Sequence, residues 1–240
     1  MLHLIGIGLG TKDISLKALE AIKKSDLVYL ETYTSASDFT LEELSKLIGK
    51  EIIPLTREQT ETEQPYLMKE KTVALLIYGD PLSATTHLEI IEEANKQNIT
   101  TEIIHSSSIF TAVAETGLFL YKFGKTASIP FPQQSHKPTS FYDILKQNQS
   151  IKAHTLLLLD LKPPEQFMTP SQAISILLEL GLDPETKIIG CQSISTNNQK
   201  IIYTEAKNFS KLNWTSPPYC LVIPSELNFK EEEFLQKFKY

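Results

Sequence analysis

Short apolar segments alternate with amphipathic segments along the first hundred residues. Five apolar segments have the length of strands, and they lie at residues 2–7, 27–30, 51–55, 73–77 and 101–105. Between them, apolar residues recur at helical spacing, as in Leu16, Leu19 and Ile22. Gly49 follows a helical pattern at the place where a left-handed cap is needed. This alternation predicts βαβ units and a mostly parallel sheet.

The pattern changes after residue 105. Residues in helical register, from Ile109 through Val113 and Thr116 to Leu120, predict a helix that joins two halves of the chain. Further strands are predicted at 126–131, 154–160, 187–193, 200–204 and 219–223, with helices at 141–147 and 170–180 and a short amphipathic tail that contains Phe234, Leu235 and Phe238. Because no long linker separates the halves, we predict two α/β domains, 1–108 and 109–240, around a shared cleft.

Composition narrows the classes of protein. Of the 240 residues, 41% are hydrophobic and 22% are charged, which suits a chain with a real core. The net charge of −6 argues against a general nucleic-acid binder. No apolar run approaches the roughly 20 residues of a membrane span, and the start of the chain lacks the features of a signal peptide. We therefore expect a cytoplasmic protein in which Cys191 and Cys220, both in apolar surroundings, are buried thiols.

The segment 78–87 carries the clearest local signal of a ligand site. It places Gly79, Asp80 and Pro81 where the apolar strand 73–77 stops. Ligands of open α/β sheets gather at the carboxyl ends of strands, and a glycine lets backbone approach a ligand closely. We predict a ligand role for Asp80, although an aspartate before a proline also forms turns and caps helices on its own.

Gly6, Gly8 and Gly10 follow the first strand in GxGxG spacing. A dinucleotide-binding turn is one interpretation, with Glu31 as the acidic residue that would hold a ribose. The spacing is not GxGxxG, however, and the turn has no basic or hydroxyl group that would grip phosphate. The pattern favours a tight turn that lets a ligand without phosphate touch the backbone.

The chain shows no obvious covalent catalyst. It has no GxSxG segment and no HxxxH or HExxH spacing, and neither cysteine lies in the setting of an activated nucleophile. We therefore expect no metal site. The same observations fit a reaction in which an electrophilic cofactor carries the chemistry and the protein positions the reactants.

Seven segments together carry a specific resemblance. They are residues 4–10 (LIGIGLG), 33–35 (YTS), 79–87 (GDPLSATTH), 104–109 (IHSSSI), 117–118 (GL), 120–125 (LYKFGK) and 154–160 (HTLLLLD). In order along the chain, they resemble the diphthine synthase family, and the resemblance runs from residue 2 to about residue 224. GxGxG and GDP alone would indicate only the wider tetrapyrrole methylase superfamily.

This resemblance implies a fold, a cofactor and a substrate. The implied fold is a two-domain α/β fold of the tetrapyrrole methylase type, in a homodimer, with S-adenosylmethionine bound in the cleft between the domains. The implied substrate is a histidine of elongation factor 2 that carries a 3-amino-3-carboxypropyl group. Methylation of its amino group gives diphthine, a step of diphthamide biosynthesis and a modification of a peptidyl histidine.

The resemblance also implies cofactor positions in both halves of the chain. They are Leu9 in the glycine turn, Asp80 and Ser83 in the GDP corner, Ser108 and Ile109 at the start of the joining helix, Leu159 at the end of an apolar strand, and Ser193 and Tyr219 further on. The chain departs from the family at Ser83, where Val or Ile is usual. It also has Gln192 in place of Arg and Tyr219 in place of His.

Other assignments stay open at the level of sequence. The catalytic residues are unknown, and Asp160, His87 and Tyr33 are candidates for a general base by position alone. The alternative interpretation of Asp160 is that it only ends its strand, and the default expectation for His87 is that it is exposed or caps a helix. The polar stretch 132–140, which contains His136, is a candidate border for a protein substrate. The alternative functions are a precorrin methyltransferase and a degenerate protein that binds cofactor or elongation factor without turnover.

Overall fold

The computed structural model describes residues 1–10, 12–37, 39–132 and 138–240. Within these ranges the chain forms two compact units, Met1–Ala112 and Val113–Tyr240. Both are mixed α/β, as the sequence predicts. The predicted domain limits, 1–108 and 109–240, stay a prediction. His136 and most of the polar stretch 132–140 lie outside the described residues.

The first unit is built on a parallel sheet. Its strands are β1 (Leu2–Gly6), β2 (Leu27–Glu31), β3 (Ile53–Leu55), β4 (Val73–Ile77) and β5 (Thr101–Ile104). Their order across the sheet is β3-β2-β4-β1-β5, and every neighbouring pair is parallel. The predicted parallel βαβ arrangement is therefore confirmed.

Helices cover both faces of this sheet. They are α1 (Leu16–Lys24), α2 (Leu41–Ile48) and α3 (Leu88–Lys96), with a π-helical turn at Gln59–Glu63. The side chain of Ser15 caps α1, and Gly49 ends α2 with a φ of 74°. All five residues of β4 are buried, because alternate side chains pack into the apolar clusters on the two faces.

The second unit has a mixed sheet. Its strands are β6 (Ala127–Ile129), β7 (Thr155–Leu159), β10 (Lys187–Gln192), β11 (Lys200–Glu205) and β12 (Tyr219–Ile223), while β8 (Leu161–Lys162) and β9 (Gln166–Phe167) form a separate hairpin. The order is β11-β10-β12-β7-β6, and only the pair of β6 and β7 is parallel.

Helices and 3-10 segments complete this unit. The helices are α5 (Ser140–Ser150), α6 (Pro170–Glu179) and α7 (Phe229–Leu235), and 3-10 segments lie at Ala206–Lys211 and Gln236–Phe238. Residues of α5 and α6 form one cluster with the sheet and with Phe209 and Trp214. These aromatic rings pack over Gly190, where an added Cβ would lie 2.6 Å from the Trp214 ring. No helix in the described ranges is long and apolar enough to span a membrane.

The prediction of a long joining helix from residue 109 to residue 120 is wrong. The structure has a short helix, α4 (Ile109–Ala112), then a 3-10 turn at Val113–Thr116. Gly117 follows with a φ of 88°, where an added Cβ would lie 2.2 Å from Phe234 Cδ1. The chain therefore turns at Gly117, because packing against Phe234 requires a backbone conformation that ends a helix. Leu120 belongs to a separate 3-10 turn, Leu120–Lys122.

Candidate functional site

The loops after β1 and β4 meet at a switch point of the first sheet. The two strands are neighbours, yet α1 after β1 and α3 after β4 pack into different faces. Ile22 of α1 lies in one apolar cluster, and Ile90 of α3 lies in the other. Loops that leave neighbouring strands toward opposite faces create the crevice in which α/β sheets bind ligands. The glycine turn and the Asp80 corner lie at this point.

Backbone hydrogen bonds join these two loops directly. The amide of Gly8 donates to the carbonyl of Gly79 at 3.1 Å, and the amide of Gly79 donates to the carbonyl of Gly8 at 2.9 Å. Both glycines have positive φ, 76° and 71°. An added Cβ on Gly6 would lie 2.6 Å from the Gly79 oxygen. The glycines therefore allow the two loops to approach each other.

A carboxylate of the chain itself occupies the glycine turn. Asp13 Oδ2 accepts the amides of Leu9 at 3.0 Å and Gly10 at 3.1 Å, and the hydroxyl of Ser107 at 2.9 Å. In a phosphate-binding loop these amides would point at the ligand. Because Asp13 uses them, the structure favours the interpretation of a turn without a phosphate.

Asp80 joins the ends of β4 and β5. Its Oδ1 accepts the amide of Leu82 at 3.0 Å and the hydroxyl of Ser83 at 3.2 Å. Its Oδ2 lies 2.7 Å from His105 Nδ1 and accepts the amide of Ser106 at 3.1 Å. Burial alone would raise the pKa of Asp80, but these hydrogen bonds outweigh it and lower the pKa. A carboxylate has about four acceptor positions, so a further ligand contact at this residue falls to its backbone.

Glu31 is not placed to hold a ribose. It is fully buried at the end of β2, and its carboxylate accepts hydrogen bonds from residues 33 and 34 of its own loop. In that loop, burial and then the charges of Glu31 and Glu61 raise the pKa of Tyr33. Tyr33 therefore stays a neutral phenol near pH 7, which does not suit a general base.

The expectation that His87 is exposed or caps a helix is wrong. Although it lies at the N-cap position of α3, its side chain makes no capping hydrogen bond there. The residue is only 2% exposed. The ring turns back toward the Asp80 corner instead, where Nδ1 lies 3.1 Å from the carbonyl oxygen of Pro81.

The structure brings the predicted site residues of the first unit close to one another. The amide of Leu9 lies 3.3 Å from Ser107 Oγ, beside Ser108 and the start of α4 at Ile109. Asp80 bonds both Ser83 and the amide of Ser106, two residues before Ser108. These positions converge on the carboxyl ends of β1, β4 and β5. Their role in cofactor binding stays a prediction.

The three predicted residues of the second unit also lie close together. Gln192 pairs with Tyr219, and Cys220 pairs with Leu158, which places Tyr219 beside the end of β7 at Leu159. The amide of Ser193 donates to the carbonyl of Pro218 at 2.9 Å. Burial raises the pKa of Tyr219, so its phenol stays neutral. Their cofactor role likewise stays a prediction.

Gln192, which departs from the family pattern, has a structural role. Its Oε1 accepts the amides of Thr215 at 2.9 Å and Ser216 at 3.3 Å, and its Nε2 donates to the carbonyl of Asn198 at 2.9 Å. Ser193 Oγ lies 2.7 Å from the carbonyl oxygen of Ser216. The side chains of Gln192 and Ser193 thus hold the segment that leads through the cis bond of Pro217 and Pro218 to Tyr219.

The side chain of Asp160 accepts hydrogen bonds from backbone amides at the end of its strand. Its Oδ2 accepts the amide of Phe131 at 2.8 Å, and its Oδ1 accepts the amide of Leu161 at 2.9 Å. Both oxygens are therefore engaged, which favours the structural interpretation of this residue over that of a general base.

The family-specific segment 120–125 belongs to a buried charge network. Glu231 is fully buried, and its carboxylate accepts hydrogen bonds from Lys122 Nζ at 2.5 Å and from the amide of Phe119 at 3.0 Å. His154 Nε2 lies 3.2 Å from the same carboxylate, while His154 Nδ1 accepts the amide of Ser225 at 3.0 Å. Nδ1 therefore carries no proton, and Nε2–H donates to Glu231. This network anchors α7, so the segment supports the second unit.

Some residues of these sites were missed by reasoning from the sequence. Asp13 stands three residues after Gly10, a spacing at which an aspartate can fold back on a turn, and this signal was available. His105 as the partner of Asp80 had no local signal, because 25 residues separate them. Cys191 and Cys220 are free and buried, as predicted. No group of three metal-binding side chains converges among the described residues.

The first edge fits a cofactor that is cationic and lacks phosphate. Asp13 and Asp80 place carboxylates on the loops after β1 and β4, and the buried carboxylate of Glu31 ends β2. The turn amides that would take a phosphate are already bonded. S-adenosylmethionine has a positively charged sulfonium and no phosphate, so the residues present fit it. Leu9 and the backbone at 79–83 are the groups that would contact it here.

Comparison with known proteins gives a consistent family. The model of the tetrapyrrole (corrin/porphyrin) methylases matches residues 1–209. A diphthine synthase of Methanococcus vannielii is 38% identical over 249 residues, which cover 98% of this chain and 98% of that protein. A probable diphthine methyl ester synthase of Arabidopsis thaliana is 36% identical over 273 residues, covering 100% and 99%.

Solved structures agree with these relatives. A crystal structure of a diphthine synthase superposes with a TM-score of 0.91 at 36% identity, covering 100% of this chain and 96% of that one.

Proposed function

The chain belongs to the tetrapyrrole (corrin/porphyrin) methylase family, and within that family we propose that it acts as a diphthine synthase. It is an S-adenosylmethionine-dependent methyltransferase of diphthamide biosynthesis. The observation that carries this function is the similarity to diphthine synthases over nearly the whole chain. Because the relatives are diphthine synthases along their full length, a precorrin substrate is not favoured.

The acceptor in this proposal is the amino group of 3-amino-3-carboxypropyl-histidine on elongation factor 2. The bound cofactor supplies a methyl group on a sulfonium, which is a strong electrophile. The protein then has to hold donor and acceptor in line, and positioning alone can supply roughly 7–11 kcal/mol of a barrier. This requirement agrees with a sequence that offers no covalent nucleophile.

Cofactor binding in this proposal involves Leu9, Asp80, Ser83, Ser108 and Ile109 of the first unit. Leu159, Ser193 and Tyr219 serve it from the second unit. Support comes from the convergence of each set at one edge of its own sheet. The resemblance also supports a cytoplasmic protein and a homodimer. Light scattering of the purified chain would test the homodimer.

Methyl transfer to the modified protein tests the function. The purified chain is incubated with radiolabelled S-adenosylmethionine and elongation factor 2 that carries the aminocarboxypropyl histidine. The matched control is elongation factor 2 with the unmodified histidine. We expect label on the modified protein only. Label on precorrins alone would support the precorrin methyltransferase, and cofactor binding without any transfer would support the degenerate binder.

Mass spectrometry of the reacted histidine gives the number of methyl groups. Relatives of this chain include diphthine synthases and a probable diphthine methyl ester synthase. Mild alkali separates the two products, because it removes an ester methyl but leaves methyl groups on nitrogen. We expect alkali-stable methyl groups on the amino nitrogen, and an additional alkali-labile methyl would extend the activity to a carboxylate.

A further inference from the structure

A buried carboxylate holds the loop after β2. Glu31 Oε1 accepts the amides of Tyr33 at 2.5 Å and Thr34 at 2.7 Å. Glu31 Oε2 accepts the hydroxyl of Thr34. Because Glu31 is fully buried, water cannot replace these bonds, so the amides of Tyr33 and Thr34 depend on this side chain. Thr32, by contrast, is held by the carbonyl of Leu55.

A buried imidazole holds the corner after β4. His87 Nδ1 lies 3.1 Å from the carbonyl oxygen of Pro81, which can only accept, so Nδ1 carries a proton. Thr85 Oγ1 accepts the amide of His87 at 3.1 Å and donates to the same Pro81 oxygen at 3.1 Å. His87 and Thr85 together fix the carbonyl next to Asp80.

The other ring nitrogen of His87 faces Glu31. His87 Nε2 is shielded from solvent and makes no hydrogen bond, and it lies 3.8 Å from Glu31 Oε2. Buried polar groups without a partner are rare in folded proteins, and each needs an explanation. A proton carried by Nε2 would make the ring a cation, and at this distance it would form an ion pair with Glu31 that joins the two loops.

We propose that Glu31 and His87 are a positioning pair, in which an ion pair between Oε2 and Nε2, 3.8 Å apart, couples residues 33 and 34 to the Pro81 corner. The inference rests on the proposed function, since that corner contains the predicted cofactor positions Asp80 and Ser83. Neither side chain is exposed, so the pair acts through the two loops and not by contact with the reacting atoms.

Two substitutions at residue 87 separate the two ring nitrogens. In His87→Asn the side-chain amide replaces Nδ1 and keeps a donor for the Pro81 carbonyl, but nothing reaches Glu31. In His87→Gln the amide replaces Nε2 and donates to Glu31, but the bond to Pro81 is lost. The readout is hydrogen exchange at the amides of Tyr33 and Thr34, without any ligand, because these amides donate to Glu31 and not to His87.

We expect His87→Asn to raise exchange at these amides about tenfold, the factor that corresponds to 1.4 kcal/mol. His87→Gln should leave exchange within about twofold of the parent chain, since one amide donor substitutes for another. If the two variants changed amide exchange equally, or if His87→Asn did not change it, the proposal of a positioning pair would be overturned.

A measurement on Glu31 decides the question if the variants of His87 do not fold. Glu31→Gln replaces one carboxylate oxygen with a donor, and the imidazole 15N shift of His87 Nε2 should then move. An unchanged shift would show that the two groups do not interact. Neither this measurement nor amide exchange requires methyl transfer, so each tests the pair even if the proposed function fails.

Steady-state kinetics connect the pair to the proposed reaction. A positioning role predicts that His87→Asn raises the KM for S-adenosylmethionine more than it lowers kcat, because it disturbs loops that bind the cofactor. Partial recovery of KM in His87→Gln would support the assignment. A loss of kcat at constant KM would overturn it, since such a loss indicates a direct role in chemistry.

Discussion

In the first unit, the loops after β1, β2 and β4 are each held by a carboxylate, whereas the Ser193–Tyr219 corner of the second unit is held by an amide and a hydroxyl. Asp13 and Glu31 each accept three hydrogen bonds, and Asp80 has four partners. Gln192 accepts two amides and donates to one carbonyl. The two regions therefore use different chemistry to order loops.

The difference follows from what each side chain can do. A carboxylate only accepts, so it collects loop amides and hydroxyls and leaves negative charge at the edge. An amide also donates, so Gln192 ties two backbone amides and a carbonyl without adding charge. The first edge is suited to a cationic ligand, while the second corner suits neutral groups.

The largest expected effect is that of Asp80→Ala. The change removes the acceptor of two partly buried amides and two side chains, and we expect the first unit to lose about 3 kcal/mol of stability. Cofactor affinity should fall with it, because the corner loses its support. Calorimetry with S-adenosylmethionine and amide exchange at Leu82 and Ser106 measure the two effects.

Asp80→Asn is the matched control for that change. The amide keeps one oxygen for Leu82 and Ser83 but puts a donor where the amide of Ser106 now donates. We expect an intermediate loss. If Asp80→Ala leaves both exchange and affinity unchanged, the carboxylate does not organise this edge, and the contrast with the second unit disappears.

Gln192→Ala should have a smaller effect, confined to the second corner. Two amides and one carbonyl lose their partner, and we expect a loss of about 2 kcal/mol. Trp214, the single tryptophan of the chain, belongs to the second unit and reports its unfolding in urea. Gln192→Glu tests the donor specifically, because a carboxylate keeps both amides but faces the Asn198 carbonyl. Equal stability of Gln192→Glu and the parent chain would contradict this role.

Acid should lower the stability of the second unit through groups outside the Ser193–Tyr219 corner. Burial lowers the pKa of His154 below 6.5, so the folded state binds fewer protons than the unfolded state. This contribution is complete above pH 6.5 and is lost as the pH falls below that value. Although burial opposes it, hydrogen bonding lowers the pKa of Glu231 from 4.5 to about 2, and a second loss follows over that range.

His154→Gln checks the source of this pH dependence. The glutamine amide can still donate to Glu231 but does not titrate. We follow the urea midpoint of the Trp214 signal as a function of pH. In the variant this midpoint should depend less on pH just below pH 6.5, while its decrease between pH 4.5 and 2 should remain. If the urea midpoint of the variant kept the pH dependence of the parent chain below pH 6.5, groups other than His154 would be responsible for it.

The smallest expected effects concern two residues with positive φ. Ala84 (φ 58°) lies in the Asp80 corner, and Ser193 (φ 42°) lies in the second corner. In Ala84→Gly, removing the side chain relieves roughly 1 kcal/mol of backbone strain. This gain nearly cancels the cost of the extra backbone entropy that glycine loses on folding. We expect thermal unfolding to show a change within about 0.5 kcal/mol of zero.

Ser193→Gly is the counterpart in the second unit. It relieves the same conformation but removes the hydroxyl that bonds Ser216, so we expect a net loss of about 1 kcal/mol. If Ser193→Gly were as neutral as Ala84→Gly, the hydroxyl would have no part in holding the corner.

Much of the first unit could be predicted because its signals are local. Apolar runs such as 73–77 and the cap at Gly49 depend on neighbours within a few residues, and both were predicted correctly. The joining helix failed because the turn at Gly117 depends on Phe234, over a hundred residues away. The prediction for His87 failed because its ring is buried beside Glu31, which lies on β2, and against the Pro81 carbonyl of the folded corner.

The amino-acid sequence by itself determined the α/β class, the order of the strands along the chain, the two loops rich in glycine and proline, and the family. Periodicity and turn chemistry are short-range properties, so they can be read from the chain alone. Only the tertiary structure decided which groups meet, such as Asp13 with Ser107 and His154 with Glu231. Those contacts join residues that are 94 and 77 positions apart. They form only when the packing of sheets and helices brings distant segments together.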